Sequence, residues 1–187
     1  MLTAVLSCGD LELVDDQSRS TADLLILGLQ TAGRPVTPGT AFVKNGTETF
    51  VRAIHNDQFR TLYLEVRFSP GSLASVDGQP LGMADSVLLV LEPALDVYGA
   101  TVSPSDLAFT AATLPHATFT FASYGDLSVA DGSSRYASRS AYADALALWY
   151  EGTPGRWERV TGSGFTGNDA VSGSLRRPGT YVVAAPR

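Results

Sequence analysis

The chain contains very little cysteine, lysine and histidine. Cys8 is the only cysteine and Lys44 the only lysine among 187 residues, and His55 and His116 are the two histidines. A single cysteine excludes an intramolecular disulfide, so a hydrophobic core must supply the stability. Because a zinc site needs several closely spaced cysteines or histidines, we predict no metal and no cofactor.

Positive charge and long apolar runs are also scarce. The net charge is -6 at pH 7 with a pI near 4.8. Binding to a phosphate backbone needs Lys and Arg concentrated on one face, so we predict no nucleic-acid partner. No apolar run approaches the roughly 20 residues that span a bilayer as a helix.

The residues that are abundant favour β-structure. Apolar residues make up 44% of the chain and charged residues 17%, and there are 18 glycines and 10 prolines. This composition is typical of many strands joined by tight turns. The length suits one domain with a full core.

Apolar residues alternate with a period of two in the clearest segments. The run Thr61 to Phe68 predicts a half-buried strand, with Tyr63 on the outer face and Leu62 on the inner one. Residues 48–55 are its predicted hairpin partner. The continuous apolar run Val87 to Leu91 predicts a central strand covered on both faces and ended by Pro93.

The C-terminal third predicts an antiparallel meander that closes a sandwich. Its four runs, each bounded by Gly, Pro, Asn or Asp, are residues 145–151, 156–160, 171–175 and 179–186. We therefore predict an all-β, antiparallel β-sandwich in a single domain. Its predicted core comprises Val51, Leu62, Leu64, Val66, Leu89, Leu91, Phe119, Phe121, Leu146, Leu148, Trp157, Val160, Tyr181 and Val183.

The N-terminus resembles the end of a bacterial lipoprotein signal peptide. Val5, Leu6 and Ser7 precede Cys8 as in the segment before a lipidated cysteine, although the basic n-region is missing and the apolar stretch is short. Residues 1–8 are thus interpreted as a signal remnant, with Cys8 as the lipidation site on the periplasmic or surface side of the cell envelope. A frayed terminus with a chance thiol is the alternative.

Acidic residues follow Cys8. Asp10, Glu12, Asp15 and Asp16 occur without any aromatic residue, so residues 9–38 are interpreted as an acidic tether and entry segment. Within them, residues 21–30 suit either a helix or an entry strand. The sandwich itself is predicted over residues 39–187.

The long connection from Asp126 to Asp144 is the predicted binding loop. It exceeds the usual loop length, and long loops on sandwiches often carry binding residues. Tyr136, Arg139 and Tyr142 are its candidate contacts. An ordinary insertion remains the alternative.

The glycine-rich run 162–167 matches the letters of a dinucleotide-binding pattern. That pattern binds a dinucleotide only between a parallel strand and a helix, whereas predicted strands flank it here, so we predict a hairpin loop.

The order of landmarks resembles the ZU-five domain over roughly residues 39–185. The similar segments are residues 64–73, 87–91, 102–109, 117–122, 146–150, 155–157 and 179–181. The resemblance implies a ZU-five-like sandwich, with an immunoglobulin-like one as the other architecture. Related animal domains are interaction modules, for example the one that binds spectrin in ankyrin, and bacterial relatives occur in envelope lipoproteins.

Some members of that family cleave themselves at a His-Phe-Ser sequence. This sequence is absent here, and Pro178 and Gly179 supply neither nucleophile nor base, so no self-cleavage is expected.

We therefore predict a non-enzymatic, lipid-anchored binding or structural module with an envelope protein or polysaccharide as partner. One alternative is a carbohydrate-binding module that uses Trp149, Tyr150, Tyr136 and Tyr142 as a stacking platform. The other is a secreted hydrolase.

Overall fold

A computed structural model describes residues 18–187, so the proposed lipidation site Cys8 and the acidic residues 9–17 lie outside the described part. The strands are, in chain order, β1 (Arg19–Ser20), β2 (Leu24–Ile26), β3 (Gly28–Leu29), β4 (Val36–Thr37), β5 (Gly39–Lys44), β6 (Thr49–His55), β7 (Leu62–Phe68), β8 (Leu73–Val76), β9 (Gln79–Pro80), β10 (Ser86–Pro93), β11 (Gly99–Ser103), β12 (Leu107–Phe109), β13 (His116–Thr120), β14 (Gly125–Asp126), β15 (Ala147–Thr153), β16 (Arg156–Arg159), β17 (Gly164–Gly167), β18 (Ala170–Ser174) and β19 (Gly179–Pro186). One α-helix, α1, spans Arg139–Asp144, and 3-10 turns span Thr21–Asp23, Thr31–Gly33 and Leu127–Ala130.

Two antiparallel sheets form the predicted sandwich. The first sheet has eight strands in the order β1-β16-β15-β19-β11-β10-β5, and β2 pairs with the end of β19. The second has six strands in the order β17-β18-β13-β7-β6-β4. Small sheets of β12-β8-β9 and β14-β3 complete the fold. The all-β prediction is confirmed.

The main core lies between the two sheets. Leu64, Val66 and Phe119 of the second sheet pack towards Ala100 and Val102 of the first, in one continuous buried cluster. All predicted core residues are buried except Leu62. Burial of so many large apolar side chains is the main stabilising term in a chain without disulfides.

A second, smaller core covers the outer face of the first sheet. It consists of Leu24, Trp149, Trp157, Val182 and Ala184. Trp157 Nε1 donates a hydrogen bond to Thr21 Oγ1 at 2.9 Å. Trp157 is therefore buried as predicted, but beneath the N-terminal segment and not between the sheets.

The entry segment belongs to the sandwich. Residues 24–26 and 28–29 are strands, which decides between the helix and the strand left open for residues 21–30. Leu24, Leu27 and Leu29 are buried, and this apolar surface holds the segment on the sheet. The fold thus extends upstream of Gly39.

The predicted alternation in β7 is wrong at its start. The pairing of β6 with β7 shifts register between Ala53 and Ile54, which face Leu64 and Leu62 respectively. This β-bulge leaves Tyr63 without an opposite residue and turns its ring inwards, where it is fully buried, while Leu62 is only half-buried.

The prediction that β10 is covered on both faces is also wrong. Val87, Leu89 and Leu91 are buried, but Leu88 is 45% exposed and its cross-strand partner Phe42 is 71% exposed. The outer cover of the first sheet lies over β15, β16 and β19, at the opposite side from β10. Pro93 ends the strand as predicted.

The C-terminal strands are antiparallel but not a single meander. Strands β15, β16 and β19 lie in the first sheet, whereas β17 and β18 form a hairpin in the second. The predicted loop 162–167 is partly strand β17, and the turn itself is Asn168-Asp169, both at a φ of 51°. Two consecutive left-handed residues are the geometry of a tight hairpin turn.

Candidate functional site

The predicted binding loop is folded onto the sandwich. Tyr142, on α1, is fully buried, and its hydroxyl donates to the Leu25 carbonyl at 3.0 Å. Burial raises the pKa of this hydroxyl. Tyr136 is half-buried and donates to the Pro186 carbonyl. Both tyrosines therefore hold the loop in place, and the Tyr142 ring has no exposed face for a partner.

Arg139 is the exposed member of the predicted set. Its guanidinium pairs with Asp131, with Nε donating to Oδ1 at 2.9 Å. The hydrogen bonds from Arg139 lower the pKa of the Asp131 carboxyl. The structure thus places Tyr136 beside Tyr142 at a ring separation of 5.5 Å, while Arg139 closes a separate ion pair within the loop.

The four aromatic rings of the carbohydrate alternative do not form one platform. Trp149 is buried in the outer core and Tyr142 in the inner one. Tyr150 is half-buried, with the Arg177 guanidinium 4.6 Å above its ring and Tyr181 5.1 Å from it. A sugar ring would need to displace one of these neighbours to stack on Tyr150.

The two histidines occupy enclosed positions. His55 is 1% exposed, its Nδ1 donates to the Gly33 carbonyl, and its ring lies 4.5 Å from Tyr124 and 5.4 Å from Tyr63. Burial lowers the His55 pKa. His116 is half-buried at the start of β13, and burial together with the positive charge of Arg67 lowers its pKa.

A groove lined by arginines lies at one end of the sandwich. Its central cavity measures about 90 Å³ and is lined by Tyr150, Glu158, Arg159, Val160, Thr161, Arg176, Arg177 and Tyr181. A cavity of about 240 Å³ adjoins it through Arg159 and Thr161. Another of about 380 Å³ adjoins it through Arg176. We call the eight residues of the central cavity the arginine groove.

Two segments supply the charged residues of this groove, namely the end of β16 with the residues after it and the connection from β18 to β19. Alternation along β16 buries Trp157 under the outer core, while Glu158 contacts the groove from the opposite face. The connection from β18 to β19 is fixed by Leu175, which is buried and donates its backbone N–H to the Pro115 carbonyl at 2.8 Å. The Tyr181 hydroxyl donates to the Arg177 carbonyl and so fixes the tip of this connection.

Positive charge predominates in the groove. Among the described residues, Arg159, Arg176 and Arg177 line it with one carboxylate, Glu158, which lies 3.5 Å from the Arg177 guanidinium. Both partners of this pair are substantially exposed, at 58% and 42% of their side chains, so the pair is weak. Guanidinium groups bind carboxylates and phosphates through paired hydrogen bonds.

The sequence contains a local signal for this groove. Arg156 and Arg159 are three residues apart, and Arg176 and Arg177 are adjacent, in a chain with only 13 basic residues. Such local concentration stands out in an acidic protein. Only the pairing of β16 with β15 and of β15 with β19 brings the two segments together.

Residues 18–187 contain neither a cluster of metal-binding side chains nor a membrane-spanning helix. No group of three or more His, Cys, Asp or Glu side chains there is arranged to hold a metal ion. No helix in this part of the chain is long and apolar enough to cross a membrane.

Comparison with known proteins adds no family assignment. No protein-family model, curated protein or solved structure matches the chain.

Proposed function

We propose that the protein is a non-enzymatic binding module of the cell envelope and that it holds an anionic partner in the arginine groove. The single observation that carries the proposal is the concentration of Arg159, Arg176 and Arg177 around one cavity of an acidic chain. The partner is an envelope protein or polysaccharide that presents closely spaced carboxylates or phosphates. Lipidation of Cys8 tethers the module, and the sandwich is a ZU-five-like domain.

The arrangement of the groove supports binding more than chemistry. His55 is enclosed by aromatic rings, and none of the groove residues is a histidine. Arg177 is held against the Tyr150 ring by stacking and by its own backbone contact with Tyr181. A guanidinium that is already oriented loses less freedom when it binds an anion.

A panel of purified probes tests the proposal. Oligogalacturonate, polyphosphate and oligoglutamate present anionic groups on three different backbones, and neutral dextran is the uncharged control. We expect at least one anionic probe to bind the full chain and dextran not to bind. The probe that binds identifies whether the partner is a polysaccharide, a phosphate polymer or an acidic peptide.

Matched variants assign the binding to the groove. The double variant Arg176→Gln and Arg177→Gln should weaken anion binding about tenfold or more, because each lost charge-assisted pair is worth roughly 1.5 to 3 kcal/mol. Arg60→Gln removes an exposed arginine in the turn between β6 and β7 and should leave affinity nearly unchanged. If Arg60→Gln weakened anion binding as much as the double variant does, the proposal would be overturned.

A further inference from the structure

The described chain begins beside the strand that leads into the arginine groove. Strand β1 pairs antiparallel with β16, with Arg19 opposite Trp157 and Ser20 opposite Arg156. Arg156 also donates from Nε to Ser18 Oγ at 3.2 Å and from Nη2 to the Ser18 carbonyl at 3.3 Å. Because the two strands are antiparallel, moving along β1 towards the N-terminus corresponds to moving along β16 from Trp157 towards Arg159. The direction of β1 is therefore towards the groove.

Among the described residues, β1 pairs with only the first half of β16. Among residues 18–187, pairing on the β1 side of β16 involves only Arg156 and Trp157, whereas β15 on the other side pairs as far as Arg159. Glu158 and Arg159 line the groove directly beyond this short pairing.

The sequence upstream of Ser18 is complementary in charge to the groove. Residues 9–17 contain four carboxylates and no Lys or Arg, and the carboxylates are Asp10, Glu12, Asp15 and Asp16. An extended chain covers about 3.3 to 3.6 Å per residue, so Asp16 is about 7 Å of chain from Ser18. This length of chain is sufficient to span from Ser18 to the groove without any change in β1.

We propose that the acidic segment of residues 10–16 binds in the arginine groove of its own chain and competes there with the anionic partner. The inference rests on the proposed function, because it describes regulation of the same site. A segment joined by such a short connection acts at a local concentration in the millimolar range. An outside anion must displace this acidic segment, so only a multivalent or locally concentrated partner saturates the groove.

A ligand-free measurement tests the contact itself. A nitroxide label on Leu13→Cys, in the Cys8→Ala chain, should selectively broaden the amide signals of residues 158–161 and 176–177. The broadening should disappear near 1 M NaCl, where charge interactions are screened within about 3 Å. Broadening that is absent, or uniform over the domain, would overturn the inference whether or not any outside anion binds.

A second measurement tests the competition. Changing Asp10, Asp15 and Asp16 to Asn and Glu12 to Gln should tighten probe binding about tenfold, as expected for loss of a millimolar local competitor. A control set, Asp77, Asp106, Asp144 and Asp169 to Asn, removes the same charge from exposed positions outside the groove. Equal tightening in both sets would show a net-charge effect and contradict the inference. Failure of every chain to bind any probe would contradict the proposed function instead, while the labelling result stands alone.

Discussion

His55 combines a titratable ring with an enclosed position. Its Nε2 is buried and has no hydrogen-bond partner among residues 18–187, as is also true of the Tyr98 hydroxyl. Burial lowers the His55 pKa and outweighs the hydrogen bond to the Gly33 carbonyl and the nearby Asp57 carboxylate, which both favour the charged form. The Asp57 carboxylate is itself occupied by hydrogen bonds from Thr61, Phe59 and Tyr124.

This lowered pKa predicts loss of stability in mild acid. The unfolded chain protonates its histidines near pH 6.5, whereas folded His55 stays neutral to lower pH, so stability is complete above about pH 6.5 and falls below it. His116 acts in the same direction. Urea unfolding from pH 8 to 5 should show the decline. In His55→Gln the free energy of unfolding should depend less on pH. An unchanged pH dependence in that variant would be inconsistent with a buried neutral His55 ring.

Trp157 is the residue whose removal should cost most in the outer core. Trp157→Ala should lower the free energy of unfolding by about 3 to 5 kcal/mol, because both apolar burial and packing are lost. Trp157→Phe should retain most of the packing and lose mainly the bond to Thr21, worth about 1 kcal/mol. Chemical denaturation measures both. Arg156→Ala is the neighbouring control, and a loss as large as that of Trp157→Ala would show that packing of the indole is not the cause.

At the scale of elements, the β17–β18 hairpin depends on its turn. Asp169 is exposed and has a φ of 51°. Asp169→Val should destabilise the domain by about 1 to 2 kcal/mol, because a left-handed conformation is costly for a β-branched residue. Asp169→Gly should not destabilise it comparably. Thermal unfolding compares the two, and similar losses would mean that the side chain and not the backbone conformation matters.

Strands were predictable where one local rule decided the outcome. Period-two alternation identifies β7, and Pro93, which has no backbone N–H to donate to a neighbouring strand, marks the end of β10. The bulge that buries Tyr63 depends on β6 opposite it, which alternation within β7 cannot reveal. The short helix α1 was missed because six residues, capped by the Ser138 side chain, carry little periodic signal.

At the scale of the whole molecule, the sheet to which each strand belongs depends on long-range contacts. The sequence predicts one meander for the four runs that form β15, β16, β18 and β19, but β18 lies in the other sheet. The four runs are all short and bounded by similar turns, so no local feature assigns each one to a sheet. The arginine groove was missed for the same reason. Its two segments, near residues 158 and 177, meet only after β19 pairs with β15.

Attachment to the membrane is a prediction at this scale. Wild-type protein expressed in a bacterium with the upstream coding sequence should partition with membranes, and Cys8→Ala should release it, because two acyl chains hold a protein stably. Ser7→Ala keeps a small residue before the cysteine and is the matched control. Equal partitioning of wild type and Cys8→Ala after cell fractionation would contradict the anchor.

The most direct test of the central claim is to map where an anion binds. Backbone amide signals of isotope-labelled full-length protein would be followed by NMR during titration with whichever anionic probe binds. The arginine groove predicts saturable shifts concentrated in residues 158–161 and 175–177, and their loss in the Arg176→Gln, Arg177→Gln variant. Shifts concentrated instead in residues 126–144, or unchanged in the double variant, would contradict the account.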